Sequence, residues 1–334
     1  MRTRQAGRWF FSRLFLIGLV LPGLALGGIL VTDNVDDQGQ KCFKIETASA
    51  TYFFQKEAAG FSSILDKEGN DWVSYKPGGG SSGEYRGVPN LGPCFHPGNT
   101  GSSGSTSTIS NQTADKVSIT STSQNGFVGT WEFSDTQARL TITKANGDYW
   151  FLYEGTPGGA TGSEDYYYFA DGKKNDIGKC YEGELSPEWA VFFDGNKKRG
   201  LLLVHHKDDN LSDSYWYMQN AMTVFGFGRK SDCGSTCCPK YFKQAGEVFT
   251  IAFIESDAFA DAKAAADKIL AGETRIVARQ RDAFFSAQVN ARVLSAAQTY
   301  DIRGRKCTYR APGSRVVLIG TTAPGAMTVR FYSH

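Results

Sequence analysis

Histidine is scarce in this chain, four residues in 334, so imidazole chemistry has few positions at which to sit. Neither sign of charge is in excess. Thirty-six Lys and Arg face 34 Asp and Glu for a net +2, which argues against a nucleic-acid polyanion as partner. No apolar run after residue 27 approaches membrane-spanning length, so no membrane span is expected once the N-terminal segment is removed. No GxSxG, HExxH, Walker or dinucleotide pattern stands in a fitting context, and no cofactor is called for. What the chain does have is glycine, 38 residues, and aromatics at 13%. That mix suits a turn-rich β-protein with aromatic faces.

The first thirteen residues carry Arg2, Arg4, Arg8 and Arg13 and no acid. Leu14 to Leu26 is then almost wholly apolar, and Ala25-Leu26-Gly27 offers small residues at the exit. A basic start, a short apolar stretch and a small-residue end define an export signal, so residues 1–27 are expected to be a signal peptide and the mature protein secreted or held at the cell surface. All seven cysteines (Cys42, Cys94, Cys180, Cys233, Cys237, Cys238 and Cys307) follow it. An exported chain permits disulfides, and an odd count leaves at least one thiol over. The Cys233-x3-Cys237-Cys238 cluster has no neighbouring histidine, so no metal site is expected. Cys233 should pair with Cys237 or Cys238, or one of the three with a distant cysteine such as Cys180.

Short alternating runs, punctuated by Gly, Asp and Asn turns, fill the centre of the chain. They cover 47–54, 62–65, 72–75, 116–122, 127–133, 138–144, 149–153, 188–193, 200–205, 222–227 and 248–254. Their spacing predicts a large antiparallel β-sandwich over residues 28–272. Asp257 to Ala271 breaks that period. It is Ala-rich with Phe259, Ala262, Ala266 and Ile269 on one face and Gly272 just beyond, which predicts one closing helix. Residues 273–292 read as helix or linker, and 293–334 as a small β module.

Tyr52-Phe53-Phe54, Lys56 to Phe61 and Gly69-Asn70-Asp71-Trp72 together resemble the opening of rhamnogalacturonan endolyases. The first domain of those enzymes is a galactose-mutarotase-like supersandwich. Further stretches, among them Gly83 to Asn90, Phe95 to Asn99, Tyr153 to Gly159 and His205 to Asp209, resemble secreted proteins of polysaccharide-degrading bacteria. The resemblance implies a supersandwich and a polysaccharide or oligosaccharide substrate. At the other end, Tyr300 to Lys306, Ala311-Pro312-Gly313 and Val316 to Ile319 resemble C-terminal sorting modules of bacterial secreted enzymes. That implies contact with secretion machinery, although Ser314-Arg315 replaces the usual aromatic.

The candidate chemistry lies on loops and strand ends. Glu84, Tyr85, Arg86 and Asn90 put a carboxylate, a phenol, a guanidinium and an amide within seven residues; Arg can fork onto a uronate carboxylate, and a structural Arg–Glu pair is the alternative. His96, beside Cys94 and a Gly/Ser loop, is a proton-transfer candidate or a turn-bonding imidazole. His205 and His206 end an apolar strand and point to opposite faces, and both faces look apolar, so parity cannot choose between them. Glu154 ends another strand, and Asp208 follows the histidines. Tyr168 in Tyr166-Tyr167-Tyr168 and Trp216 in Tyr215-Trp216-Tyr217 are stacking platforms or packing residues.

Three functions follow. A polysaccharide lyase needs a Tyr or His base, with Arg86 and Asn90 neutralising a uronate carboxylate, and no metal or cofactor. A glycoside hydrolase would take two carboxylates from Glu84, Glu154, Asp208 and Asp209. A glycan-binding surface protein would need only the aromatics. The lyase leads, with Glu84, Tyr85, Arg86, Asn90, His96 and one of His205 or His206 expected in one cleft.

Overall fold

The computed structural model describes residues 28–73, 75–76, 87–92, 94–97, 104–218, 221–231, 233, 237–272, 316–317 and 330–331. The expectations for residues 1–27, for Glu84, Tyr85 and Arg86, for 273–292 and for nearly all of the tail concern residues outside these described ones.

Among the described residues of the larger unit, eighteen strands and one α-helix follow in chain order. They are β1 (Leu30–Asp37), β2 (Gln40–Glu46), β3 (Thr51–Gln55), β4 (Gly60–Leu65), β5 (Gly87–Asn90), β6 (Ser105–Gln112), β7 (Val117–Ser123), β8 (Val128–Phe133) and β9 (Gln137–Lys144). Then come β10 (Phe151–Gly155), β11 (Tyr166–Phe169), β12 (Asn175–Asp176), β13 (Tyr181–Gly183), β14 (Trp189–Asp194), β15 (Arg199–His205), β16 (Asp213–Met218), β17 (Met222–Phe227), β18 (Val248–Ile254) and α1 (Phe259–Leu270). They form two nine-stranded sheets. The first runs β1-β2-β3-β4-β5-β10-β17-β16-β13 and the second β12-β11-β14-β15-β18-β9-β8-β7-β6. The mostly-β antiparallel sandwich with one helix near the end of the unit is therefore present. In the second unit, Val277–His334, the described residues form one short antiparallel ladder, Val316 opposite Phe331 and Val317 opposite Arg330.

Period-two alternation sends one face of each sheet inward, where aromatic rings bridge the layers. Phe61 of β4 meets Trp131 of β8 at 4.6 Å between ring centroids, Phe151 of β10 stacks on Phe249 of β18 at 4.5 Å, and Tyr215 of β16 meets Tyr167 of β11 at 4.4 Å. Each such pair adds roughly 0.5–1.5 kcal/mol beyond the area it buries. The outer face of the second sheet is covered as well. Ala262, Ala265, Ala266 and Ile269 of α1 bury against Leu202, Val204, Ala252 and Ile254. Alanine side chains let the helix sit close, and Gly272, at φ +81°, ends it in the left-handed region.

One sequence expectation changes and another is narrowed. Trp72, Val73 and Tyr75, expected in a strand over 72–75, are not in one: Asp71 bridges Leu65, and the buried Trp72 indole donates to Asp66 Oδ2 at 3.1 Å. Of the pairings left open for Cys233, the structure takes the distant one, Cys180–Cys233, and joins Cys237 to Cys238. Cys42 and Cys94 are buried thiols, and burial first of all pushes both up to about 12. The 53-residue separation of Cys180 and Cys233 restricts the unfolded chain, so the double change Cys180→Ser, Cys233→Ser should lower unfolding free energy by about 3 kcal/mol. Urea denaturation of the oxidised protein measures it, and an unchanged midpoint would count against the pairing.

Candidate active site on the outer face of the first sheet

Strand parity sorts the first sheet cleanly. On β10, Phe151 and Tyr153 enter the shared core, so Leu152 and Glu154 face outward. Glu154 lies opposite Gly87 of β5 on one side and Val224 of β17 on the other. Pro97 reaches this face because two neighbours lack side chains. A Cβ on Gly60 would fall 2.8 Å from Pro97 Cδ, and one on Gly87 2.7 Å from it. The close seat of the proline ring places the preceding imidazole against β10.

There His96 Nδ1 meets the Pro97 carbonyl oxygen at 2.8 Å, and Nε2 meets Glu154 Oε2 at 2.9 Å. Asn90 Nδ2 donates to Glu154 Oε1 at 3.3 Å, while Asn90 Oδ1 accepts the Gly92 N–H at 3.0 Å. His96 is 4% exposed and Glu154 7%. A carbonyl oxygen can only accept, so Nδ1 carries hydrogen. The contact at Nε2 then requires one more proton, held either by the imidazolium or by the carboxyl. The pair stores one transferable proton in both cases. Asn90, His96 and Glu154, separated by up to 64 residues in sequence, are brought together.

The other candidates are not. His205 shares its face with Leu201 and Leu203 and points between the sheets, where Nδ1 faces Glu188 and Nε2 faces Glu247. His206 lies on the next face, against Thr250 Oγ1 at 2.8 Å. His96 thus stands outside the first sheet, His205 between the sheets and His206 outside the second. The expected convergence of His96 with either is corrected: the first sheet separates His96 from His205, and both sheets, about 10 Å apart, separate it from His206. Tyr168 packs edge-on to Phe193 and against Phe259 of α1, so it is a packing residue of the second sheet's outer face. Asp208 accepts from Ser186 Oγ at 2.7 Å and makes no recorded bond to the Glu154 group. Trp216, opposite Val224, shares the outer face with Glu154 and is 37% exposed.

No family model matches the sequence, and no curated protein matches it at a significant level. Among solved structures the chain is similar to HI1317, with TM-score 0.45 and 12% identity over 70% of this chain and 98% of that one. It is similar to a candidate aldose 1-epimerase from Klebsiella pneumoniae, with TM-score 0.44 and 9% identity over 74% and 88%. It is also similar to a candidate mutarotase, YeaD, from Salmonella typhimurium, with TM-score 0.41 and 13% identity over 68% and 93%.

Sequence reasoning missed the partners of His205. Burial alone would drive that imidazolium down, but the hydrogen bonds it donates to Glu188 and Glu247 outweigh it and hold its pKa up at about 9. Glu188 sits above the usual carboxylate range because burial exceeds the help from His205. Glu247, although burial opposes it, sits below because His205 and Lys207 both hold it. Glu188, His205 and Asp209 present ligand atoms within 4.8 Å of one another. Both imidazole nitrogens are nevertheless turned to carboxylates, and Glu188 Oε1 takes the Asp209 N–H, so a proton already satisfies the cluster. His206 is pulled down to about 4, first by burial and then by the charges of Arg139 and His205.

Proposed function

We propose that this protein is an exported carbohydrate-active enzyme that moves a proton on a glycan at the outer face of the first sheet. The observation that carries this is the buried contact of His96 Nε2 with Glu154 Oε2 at 2.9 Å, with Asn90 on the second carboxylate oxygen. A protein that only bound glycans would need the face but not a proton-sharing pair. Two-carboxylate hydrolysis loses support because the Asp208 carboxylate accepts from Ser186 Oγ and that of Asp209 from the Leu211 N–H. β-Elimination beside a uronate carboxylate fits best. Glu154 takes the proton from carbon, the leaving oxygen receives the proton returned by the pair, and a double bond forms between the two carbons. His96, with both ring nitrogens engaged, is the positioning residue for Glu154. Arg86, outside the described residues, is the cation the sequence offers for the substrate carboxylate. Export is supported by the basic-then-apolar start and by Cys180–Cys233, a bond that persists in oxidising compartments.

The test is a panel of uronate-containing plant and algal polysaccharides followed by ultraviolet absorbance. A lyase produces a conjugated unsaturated uronate and rising absorbance. New reducing ends without absorbance would mean hydrolysis, and neither signal would leave binding alone. Mass spectrometry of exported protein should find the mature chain starting near Gly28; residues before Ala25 in that sample would refute the signal peptide.

A further inference from the structure

The outer face of the second sheet carries a cavity that the Glu154 group does not use, and we infer that it binds one small neutral polyol, a monosaccharide or a compound of that size and hydroxyl chemistry. The site is separate from Glu154, which lies outside the other sheet. It stands whether or not the protein cleaves a polysaccharide.

The β8–β9 hairpin builds it. The Ser134 N–H donates to the Gln137 carbonyl oxygen at 2.9 Å and closes a tight turn through Asp135 and Thr136. Ala138 and Leu140 of β9 enter the core, so Gln137 and Arg139 face outward. The turn, these two side chains and Lys116, just before β7, line a cavity of about 180 Å³. A water takes about 30 Å³ in the liquid, so the space suits one sugar ring rather than a chain.

The polar atoms on its wall make it a site. Among the described residues, Asp135 Oδ1, Thr136 Oγ1, Gln137 Oε1 and Arg139 Nε are buried and have no hydrogen-bond partner. Gln137 is only 6% exposed. Buried polar atoms are nearly always paired, and leaving one unpaired is costly. Four around one cavity mark a place where a ligand supplies the partners.

The same atoms select the ligand. Carboxylate and amide oxygens accept, whereas a guanidinium donates; a hydroxyl does both, so the hydroxyls of one sugar can serve the whole set. Charge disfavours ions of either sign. Lys116 is paired with Glu132. The carboxylates of Asp115 and Asp135 oppose an anion, and Arg139, unpaired at Nε, opposes a cation.

The experiment is calorimetric titration with galactose, glucose and mannose, each beside its uronic acid and its 2-amino counterpart. At least one neutral sugar should bind saturably, and more tightly than its own two charged counterparts. Gln137→Leu and Thr136→Val, each close in shape to the residue replaced, should weaken that binding about tenfold; melting curves show that both fold. Arg139 lies near enough for its charge to act on His206. The bound sugar should therefore move the His206 imidazole signal in NMR and leave that of His96 in place. Binding of no neutral sugar overturns the site, and a higher melting midpoint in Gln137→Leu would then assign the cavity to water. Full affinity in both variants, or a shift confined to His96, puts the sugar elsewhere and overturns it as well. Tighter binding of a charged counterpart overturns the ligand class.

Discussion

Replacing His205 by leucine should lower the unfolding free energy by about 3–5 kcal/mol, read as a large fall in the urea midpoint. The imidazolium bridges two buried carboxylates, Glu188 and Glu247, and Glu247 has Lys207 as a second cation. Without His205 the buried Glu188 loses the cation it is paired with. Asp213 adds to the strain: burial and then the charge of Glu188 already hold its carboxyl well above the ordinary range. Leucine fills much of the volume and removes none of these charges. A second measurement uses pH. The folded-state pKa of His205, about 9, lies above its ordinary 6.5, so its stabilisation is complete below 6.5 and is lost as pH rises through about 9. The unaltered protein should therefore weaken across that window, and the leucine variant should show a flatter profile there. A small loss with an unchanged pH profile would mean that the carboxylates relax into water.

Glu154→Gln should cost about 10²–10⁴-fold in turnover, the usual contribution of a positioned proton-transfer group. The amide can still meet Asn90 and the imidazole, so its shape and packing survive and the thermal midpoint should move by only a few degrees. What the amide cannot do is share the proton that the Pro97 carbonyl forces onto the pair. Substrate affinity should change little, which separates loss of chemistry from loss of binding. Retained turnover would move the base elsewhere. Collapse of the fold would recast Asn90, His96 and Glu154 as a buried structural network.

The sandwich was legible where apolar residues alternate cleanly, as in Trp131 and Phe133 on β8 or Leu140 and Ile142 on β9. It was not legible at the edges. β1 reads LVTDNVDD and β6 reads STSTISNQ, because a half-solvated edge strand needs few apolar partners and is better protected by polar groups. Parity failed for His205 and His206 for a specific reason. The second sheet is covered on both sides, by the first sheet and by α1, so both faces of β15 are apolar. Asn90, His96 and Glu154 could each be named from local context. Their meeting depends on β5 pairing with β10, a contact across 64 residues that no local pattern encodes. Tyr168 misled because a tyrosine run beneath a helix and one beside a ligand are identical in sequence.

The placement of the histidines has a practical use. With four in the chain and His334 outside the described residues, the imidazole signals of His96, His205 and His206 are few enough to be followed individually by proton and nitrogen NMR. The outer-face signal of His96 should respond to a glycan. The His205 signal, titrating near pH 9, should report the intact core, and that of His206, titrating near pH 4, the far sheet. Ligand occupancy, core integrity and the condition of the opposite face can then be read separately from one unmodified sample.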